Sequence, residues 1–355
     1  MRLIPILLAV CCLASTGALH AQPEDPPVRV FIMAGQSNME GKAQNKLLEF
    51  QANDPATAEL FSQYRDGGQW VTRTDVRINY LDRRGGLTIG YGSRNRTGCE
   101  LAFGWTLGDH FDEPVLLIKA AWGGHSLYKL FRPPSAGMPS DEFLANELAQ
   151  RQERVRHDNE RHNRDNPLPT MDDIIAEYGS SYRNMLDEVR TALAELDERF
   201  PELAGREVEL CGFVWFQGWN DQYGELAPGE YESNMQHFIN DVRRDLEAPD
   251  LPFVIGAMGQ NGSSEPQGNM LVVRNAQLAM NEVPEFEGNV KTILTDVLVD
   301  TAAEELYPTW RDNIEAWERV GSDHAYHYLG SAIWFNRIGE AFAQAMLELM
   351  DEGAD

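Results

Sequence analysis

The stretch VRVFIMAGQSNMEGKA, residues 28–43, carries the reading of the fold. Val28 to Met33 form a nearly unbroken apolar run, as a strand covered on both faces requires. The run stops at Ala34-Gly35-Gln36-Ser37-Asn38. Gly, Ser and Asn are turn formers, so an ordinary strand end accounts for these residues. A serine at the end of a buried strand is also where a nucleophile would be presented. The rest of the chain has to decide between the two.

Four further segments read as buried strands: VLLIKAA (115–121), CGFVWFQ (211–217), PFVIGAM (252–258) and VKTILTD (290–296). Helical patterns lie between them. The clearest, 172–200, repeats apolar residues at three- and four-residue steps and ends at Pro201. Residues 231–247 and 330–350 are two more, the last with Ile333, Ile338, Phe342 and Met346 on one face. This alternation predicts an α/β fold, a three-layer α/β/α sandwich on a doubly wound, parallel, five-stranded sheet. The active crevice of such a sheet lies beyond the C-terminal ends of its strands.

Residues from about 140 to 170 break the pattern. They are charged almost all round, which predicts a solvated helix or lid-like insertion within one domain spanning 22–355. His157 and His162 in this region, and His125 before it, show no tight ligand spacing, so no metal site is expected. No glycine-rich phosphate loop is present either.

The N-terminus reads as a leader. Arg2 precedes an apolar run over residues 3–14, then small residues up to Ala21. The run is shorter than the roughly 20 residues a spanning helix needs. Residues 1–21 are therefore expected to be a signal peptide, and the mature chain to be secreted or periplasmic. The chain holds 56 acidic and 30 basic residues, a net charge of -26. That excess argues against a nucleic-acid partner, which needs a basic surface. Two cysteines follow the leader. Cys211 opens a strand and Cys99 starts a helix, so they fall at different heights of the sheet and are expected to be buried and unpaired.

Polar clusters follow the strands. Gly35-Gln36-Ser37-Asn38 follows the first and Trp122-Gly123-Gly124-His125-Ser126 the second. Gln217-Gly218-Trp219-Asn220-Asp221 follows the third, and Asp323-His324-Ala325-Tyr326-His327 precedes the last helix. A serine, glycine amides, a side-chain amide and an Asp/His pair at one sheet edge are the parts of an acyl-transfer site.

GQSNMEG, WGGHS and WFQG resemble the blocks of SGNH-type hydrolases, and more narrowly the sialate O-acetylesterase-like carbohydrate esterases, family 6 and relatives. The similarity spans roughly residues 28–350. It implies a flavodoxin-like sandwich that removes acetyl groups from a sugar or polysaccharide without metal or other cofactor. Carried over residue by residue, it makes Ser37 the nucleophile, His327 the base and Asp323 its orienting acid. Ser37, Gly123, Gly124 and Gln217 would form the oxyanion hole, each donor contributing about 3 kcal/mol. Gln36, Asn38, His125, Trp219 and Asn220 are the candidate substrate contacts.

The chain departs from the family pattern twice. Trp219 stands where the family has Glu, which reads as a stacking surface for a sugar or as core. Asp323 precedes His327 by four residues, not three, which leaves His324 as the alternative base and Asp296 as an alternative acid. Two other readings stay open: an SGNH esterase or lipase for other short-chain esters, and a sugar-binding protein whose site has decayed.

Overall fold

A computed structural model describes residues 25–352. The expected leader, residues 1–21, lies outside the described residues. Among the described residues the main sheet has seven strands: β1 (Val28–Gly35), β2 (Val76–Tyr80), β3 (Arg83–Gly86), β4 (Val115–Ala121), β5 (Val208–Phe216), β6 (Phe253–Ala257) and β7 (Val290–Leu294). Their spatial order is β7-β6-β5-β1-β4-β2-β3. Each neighbouring pair is parallel except β2–β3. The five apolar runs are thus all strands, and the expectation of a five-stranded sheet is corrected by a β2–β3 hairpin at one edge. The hairpin's sequences, VRINY and RRGG, carry Arg, Asn and Gly and form no continuous apolar run.

Helices cover both faces. Phe31 and Met33 of β1 pack into one core with α2 (Glu100–His110) and α7 (Ala332–Glu352), after the single turn α1 (Ser37–Glu40). Val30, Ile32 and Ala34 face the opposite core, made with α4 (Ser180–Ala194), α5 (Ala227–Asp245) and α6 (Gly268–Leu278). The period-two alternation of a strand sends its residues to the two cores in turn.

Between β4 and α4 runs α3 (Asp141–His162), capped by the Ser140 hydroxyl and buried only at Leu144. The charged stretch is therefore a solvated helix. The single helix expected over 172–200 is interrupted: Met171–Glu177 ends before Gly179, whose φ of +69° starts α4. The Gly179 amide donates to the Lys129 carbonyl, which fixes the break. Cys99 and Cys211 are buried and unpaired, and burial pushes their thiols up to about 12 and about 11. No helix among the described residues is long and apolar enough to cross a membrane.

Candidate active site

Gly35, the last residue of β1, pairs with Ala121 and Phe216, the last residues of β4 and β5. The loops after these three strands therefore leave one sheet edge together. Gly35 has φ of +154°, and a Cβ there would run into the Phe216 carbonyl and the Met39 side chain. Only glycine lets the chain turn this tightly. Gln36 is extended, and α1 begins at Ser37, which is 8% exposed. The first amides of a helix have no intrahelical acceptor, so the Ser37 N–H is left to point out of the turn.

The segment before α7 comes to the same place. Asn38 Nδ2 donates to the Tyr326 carbonyl at 3.2 Å, tying the residue after Ser37 to the residue before His327. His327 Nδ1 lies 3.1 Å from Asp323 Oδ1. The approach falls short of a well-formed hydrogen bond. Such bonds commonly straighten when substrate binds. After the extended His324 the chain turns back on itself, the His327 amide donating to the His324 carbonyl at 2.9 Å, and this tight turn returns the His327 ring to Asp323.

Tyr328 and Leu329 then adopt left-handed φ values of 50° and 59°. Non-glycine residues rarely do so without support. Here the buried Tyr328 hydroxyl is held by Thr295 Oγ1 at 2.7 Å and accepts the Gly259 amide at 3.1 Å.

Asp323 also meets Arg96 at 2.9 Å and accepts the His324 amide at 2.8 Å. Burial alone would raise its carboxyl. The donors from His327 and His324 and the charges of His327 and Arg96 outweigh that and hold it below the ordinary carboxylate range. The His324 ring instead stacks on Tyr326, 5.3 Å between centroids, and meets the edge of Trp310. Asp296 pairs with Arg274 at 2.7 Å. Of the alternatives raised by the sequence, His327 is the histidine beside Asp323.

A family profile described as carbohydrate esterase, sialic acid-specific acetylesterase, matches residues 27–161 and 169–305. The chain belongs to this family of carbohydrate esterases. The esterase is accordingly a carboxylic ester hydrolase. The match covers Ser37 and the blocks after β4 and β5 and ends before Asp323. No curated protein matches the chain. Among solved structures, a protein from Arabidopsis thaliana shares the fold at 17% identity and a TM-score of 0.50, over 91% of this chain and 98% of its own. A carbohydrate acetylesterase from Xanthomonas citri is similar at 14% identity and a TM-score of 0.44, over 89% of this chain and 55% of its own. NanS is similar at 14% identity and 0.42, over 77% and 78%.

The esterase uses several expected contact residues as braces. Gln36 Oε1 accepts Gln217 Nε2 and the amides of Gly218 and Asn220 at 3.2–3.3 Å, while its Nε2 donates to Asn220 Oδ1 at 3.0 Å. Gln217 Nε2 also donates to the His125 carbonyl at 3.0 Å and to Asp221 at 2.5 Å. Both hydrogens of the Gln217 amide have acceptors here, and Gln217 and Gln36 together tie the loops after β1, β4 and β5. The Gly123 amide is likewise taken, by Glu40 Oε1 at 2.6 Å. Gly124 is exposed, with φ of +82° and open space where a Cβ would stand.

Sequence reasoning gives no role to three charged residues of the site, Asp221, Lys119 and Glu40. Asp221 is fully buried and accepts the amides of Leu127 and Tyr128, fastening the glycine block's loop to the loop after β5. Burial raises its carboxyl to about 6 against these hydrogen bonds. Lys119 of β4 and Glu100 of α2 form an ion pair at 2.8 Å, both with fully buried side chains. Lys119 Nζ donates further to the carbonyls of Glu40 and Tyr91, so its three hydrogens are placed. Glu40 pairs with Lys42 at 2.5 Å. Burial pushes the Glu40 carboxyl up, and Lys42, Ser93 and the Gly123 amide more than reverse it, leaving it below the ordinary range.

Aromatic rings border the site. Trp219 is half-buried, 6.0 Å from Tyr326 and 6.2 Å from Tyr223, and those tyrosines are 39% and 58% exposed. His125 bonds Ser181 Oγ at 2.7 Å and stacks on Trp122, and burial lowers its pKa, favouring the neutral ring. Among the described residues no three His, Cys, Asp or Glu side chains gather as metal ligands.

Proposed function

We propose that the esterase removes O-acetyl groups from a carbohydrate by a serine mechanism. Ser37 Oγ attacks the acetyl carbonyl carbon and passes its proton to His327. The tetrahedral oxyanion is met by the amides of Ser37 and Gly124, each such donor typically contributing about 3 kcal/mol. Collapse expels the sugar oxygen, which takes the proton from His327. Water then gives a proton to His327 as its oxygen attacks the acetyl-enzyme, and the carbon–Oγ bond breaks to release acetic acid, which ionises to acetate, while Ser37 Oγ takes the proton back from His327. Asp323, held ionised, orients the ring and balances the imidazolium. Trp219 and Tyr326 offer ring surface for the sugar, with Asn38, Asn220 and His125 at its border.

The observation that carries this reading is the Asn38–Tyr326 hydrogen bond, which couples the Ser37 turn to the turn in which His327 meets Asp323. The order β4-β1-β5-β6-β7 within the sheet supports the SGNH, flavodoxin-like form of the fold, because it corresponds to the order 2-1-3-4-5. The same proposal takes residues 22–355 as one domain exported by the leader 1–21. Ser37→Ala tests it: acetate release from acetylated sugars and from p-nitrophenyl acetate should fall by at least about a thousandfold with the fold retained. Near-parental turnover by this variant, or loss of parental activity to a chelator, would reject it.

A further inference from the structure

Three residues beyond Ser37, on the same helical turn, stands a carboxylate that touches none of the reacting atoms named above. Glu40 Oε1 accepts the Gly123 amide at 2.6 Å. Its Oε2 accepts Lys42 Nζ at 2.5 Å and Ser93 Oγ at 2.9 Å, and Lys42 also donates to Ser93 Oγ at 2.7 Å. The Glu40 carbonyl is held in turn by buried Lys119 at 2.9 Å. Donors from three separated segments thus converge on one residue. Gly123 lies directly against the serine: a Cβ there would stand 3.7 Å from Ser37 Cβ and 3.4 Å from Glu40 Oε1.

We propose that Glu40 is a positioning residue for ester hydrolysis: it grips the Gly123 amide and so sets the next peptide with the Gly124 N–H toward the oxyanion at Ser37. This rests on the reading of Ser37 as nucleophile. Two consecutive glycines have the largest backbone freedom a chain can have. An oxyanion donor helps only when it is already oriented as charge develops. Asp221 fastens the far side of this loop at Leu127 and Tyr128, and Glu40 fastens its near side. Lys42 completes the device, because a bare carboxylate beside the reaction would oppose the developing negative charge.

The test uses the full chain and p-nitrophenyl acetate, with turnover expressed per serine labelled by a fluorophosphonate. Glu40→Ala should lower kcat about 10- to 100-fold, with KM within about threefold, at a temperature where the variant remains folded. Glu40→Gln keeps an acceptor for Gly123 and should recover kcat to within about fivefold of the parent. Lys42→Met leaves the carboxylate uncompensated and should lower kcat about tenfold, and adding Glu40→Gln to it should restore turnover. If Glu40→Ala fails to fold, the last two variants decide. A kcat within about threefold of the parent in Glu40→Ala, or a Glu40→Gln as slow as Glu40→Ala, overturns the proposal. So does a Lys42→Met defect that Glu40→Gln leaves unrelieved. Turnover by Ser37→Ala would instead overturn the nucleophile reading; a dead Ser37→Ala beside a fast Glu40→Ala would overturn only this inference.

Discussion

His324 and His327 are three residues apart and meet different neighbours. The first ring lies among Tyr326 and Trp310, the second beside Asp323. His327→Ala should therefore lower kcat by at least about a thousandfold, while His324→Ala stays within about tenfold of the parent. Steady-state kinetics on p-nitrophenyl acetate checks both, and the opposite pattern would make His324 the base. That Ser37 ends a buried strand and that Asp323 and His327 share one turn before the last helix was legible, because each sits in a short polar block next to a strand or helix. The tasks of Glu40, Lys119 and Asp221 were not, because Gly123, Glu100 and the amides of Leu127 and Tyr128 reach them from distant segments. Lys119 reads only as a blemish in VLLIKAA until Glu100 is placed opposite it. Gln217 and Gln36 were visible as polar residues at the right edge, yet sequence cannot tell an amide that faces substrate from one that spans two loops.

At the scale of elements, the turn 325–330 depends on what holds it. Tyr328 and Leu329 keep left-handed backbones while the Tyr328 hydroxyl bonds Thr295 and the Gly259 amide. Tyr328→Phe strands that buried amide and should cost about 1–3 kcal/mol in urea unfolding. A loss below about 0.5 kcal/mol would mean that the ring alone supports the turn. The strands were the most legible elements, since a short continuous apolar run between amphipathic helices suits a strand buried on both faces. The edge hairpin was not legible, because Arg77 and Asn79 find their partners in Glu202 and Arg199, far along the chain. The helix expected over 172–200 breaks at Gly179, whose conformation is set by packing on Lys129 rather than by periodicity, and again at Glu195.

At the scale of the whole molecule, two of the three loops at the sheet edge, those after β4 and β5, are joined through Asp221. Its pKa is raised from 3.8 to about 6 in the fold. A raised value means that this group's stabilising contribution is fully present below 3.8 and is lost as pH rises through about 6. The melting-temperature advantage of the parent over Asp221→Asn should accordingly be largest near pH 4 and shrink towards pH 7. A difference that stays flat over that range would show that Asp221 does not titrate there.

The bracing of these loops by Gln36, Gln217 and buried Asp221 also governs how the esterase meets salt. Mobile electrolyte weakens forces between solvent-exposed charges and scarcely reaches hydrogen bonds that water does not touch. The ion pairs along α3 and the outer rim lie open to it, whereas the lashings behind Ser37 are sealed away. In brine the periphery should slacken first, while the machinery at the sheet edge keeps its shape.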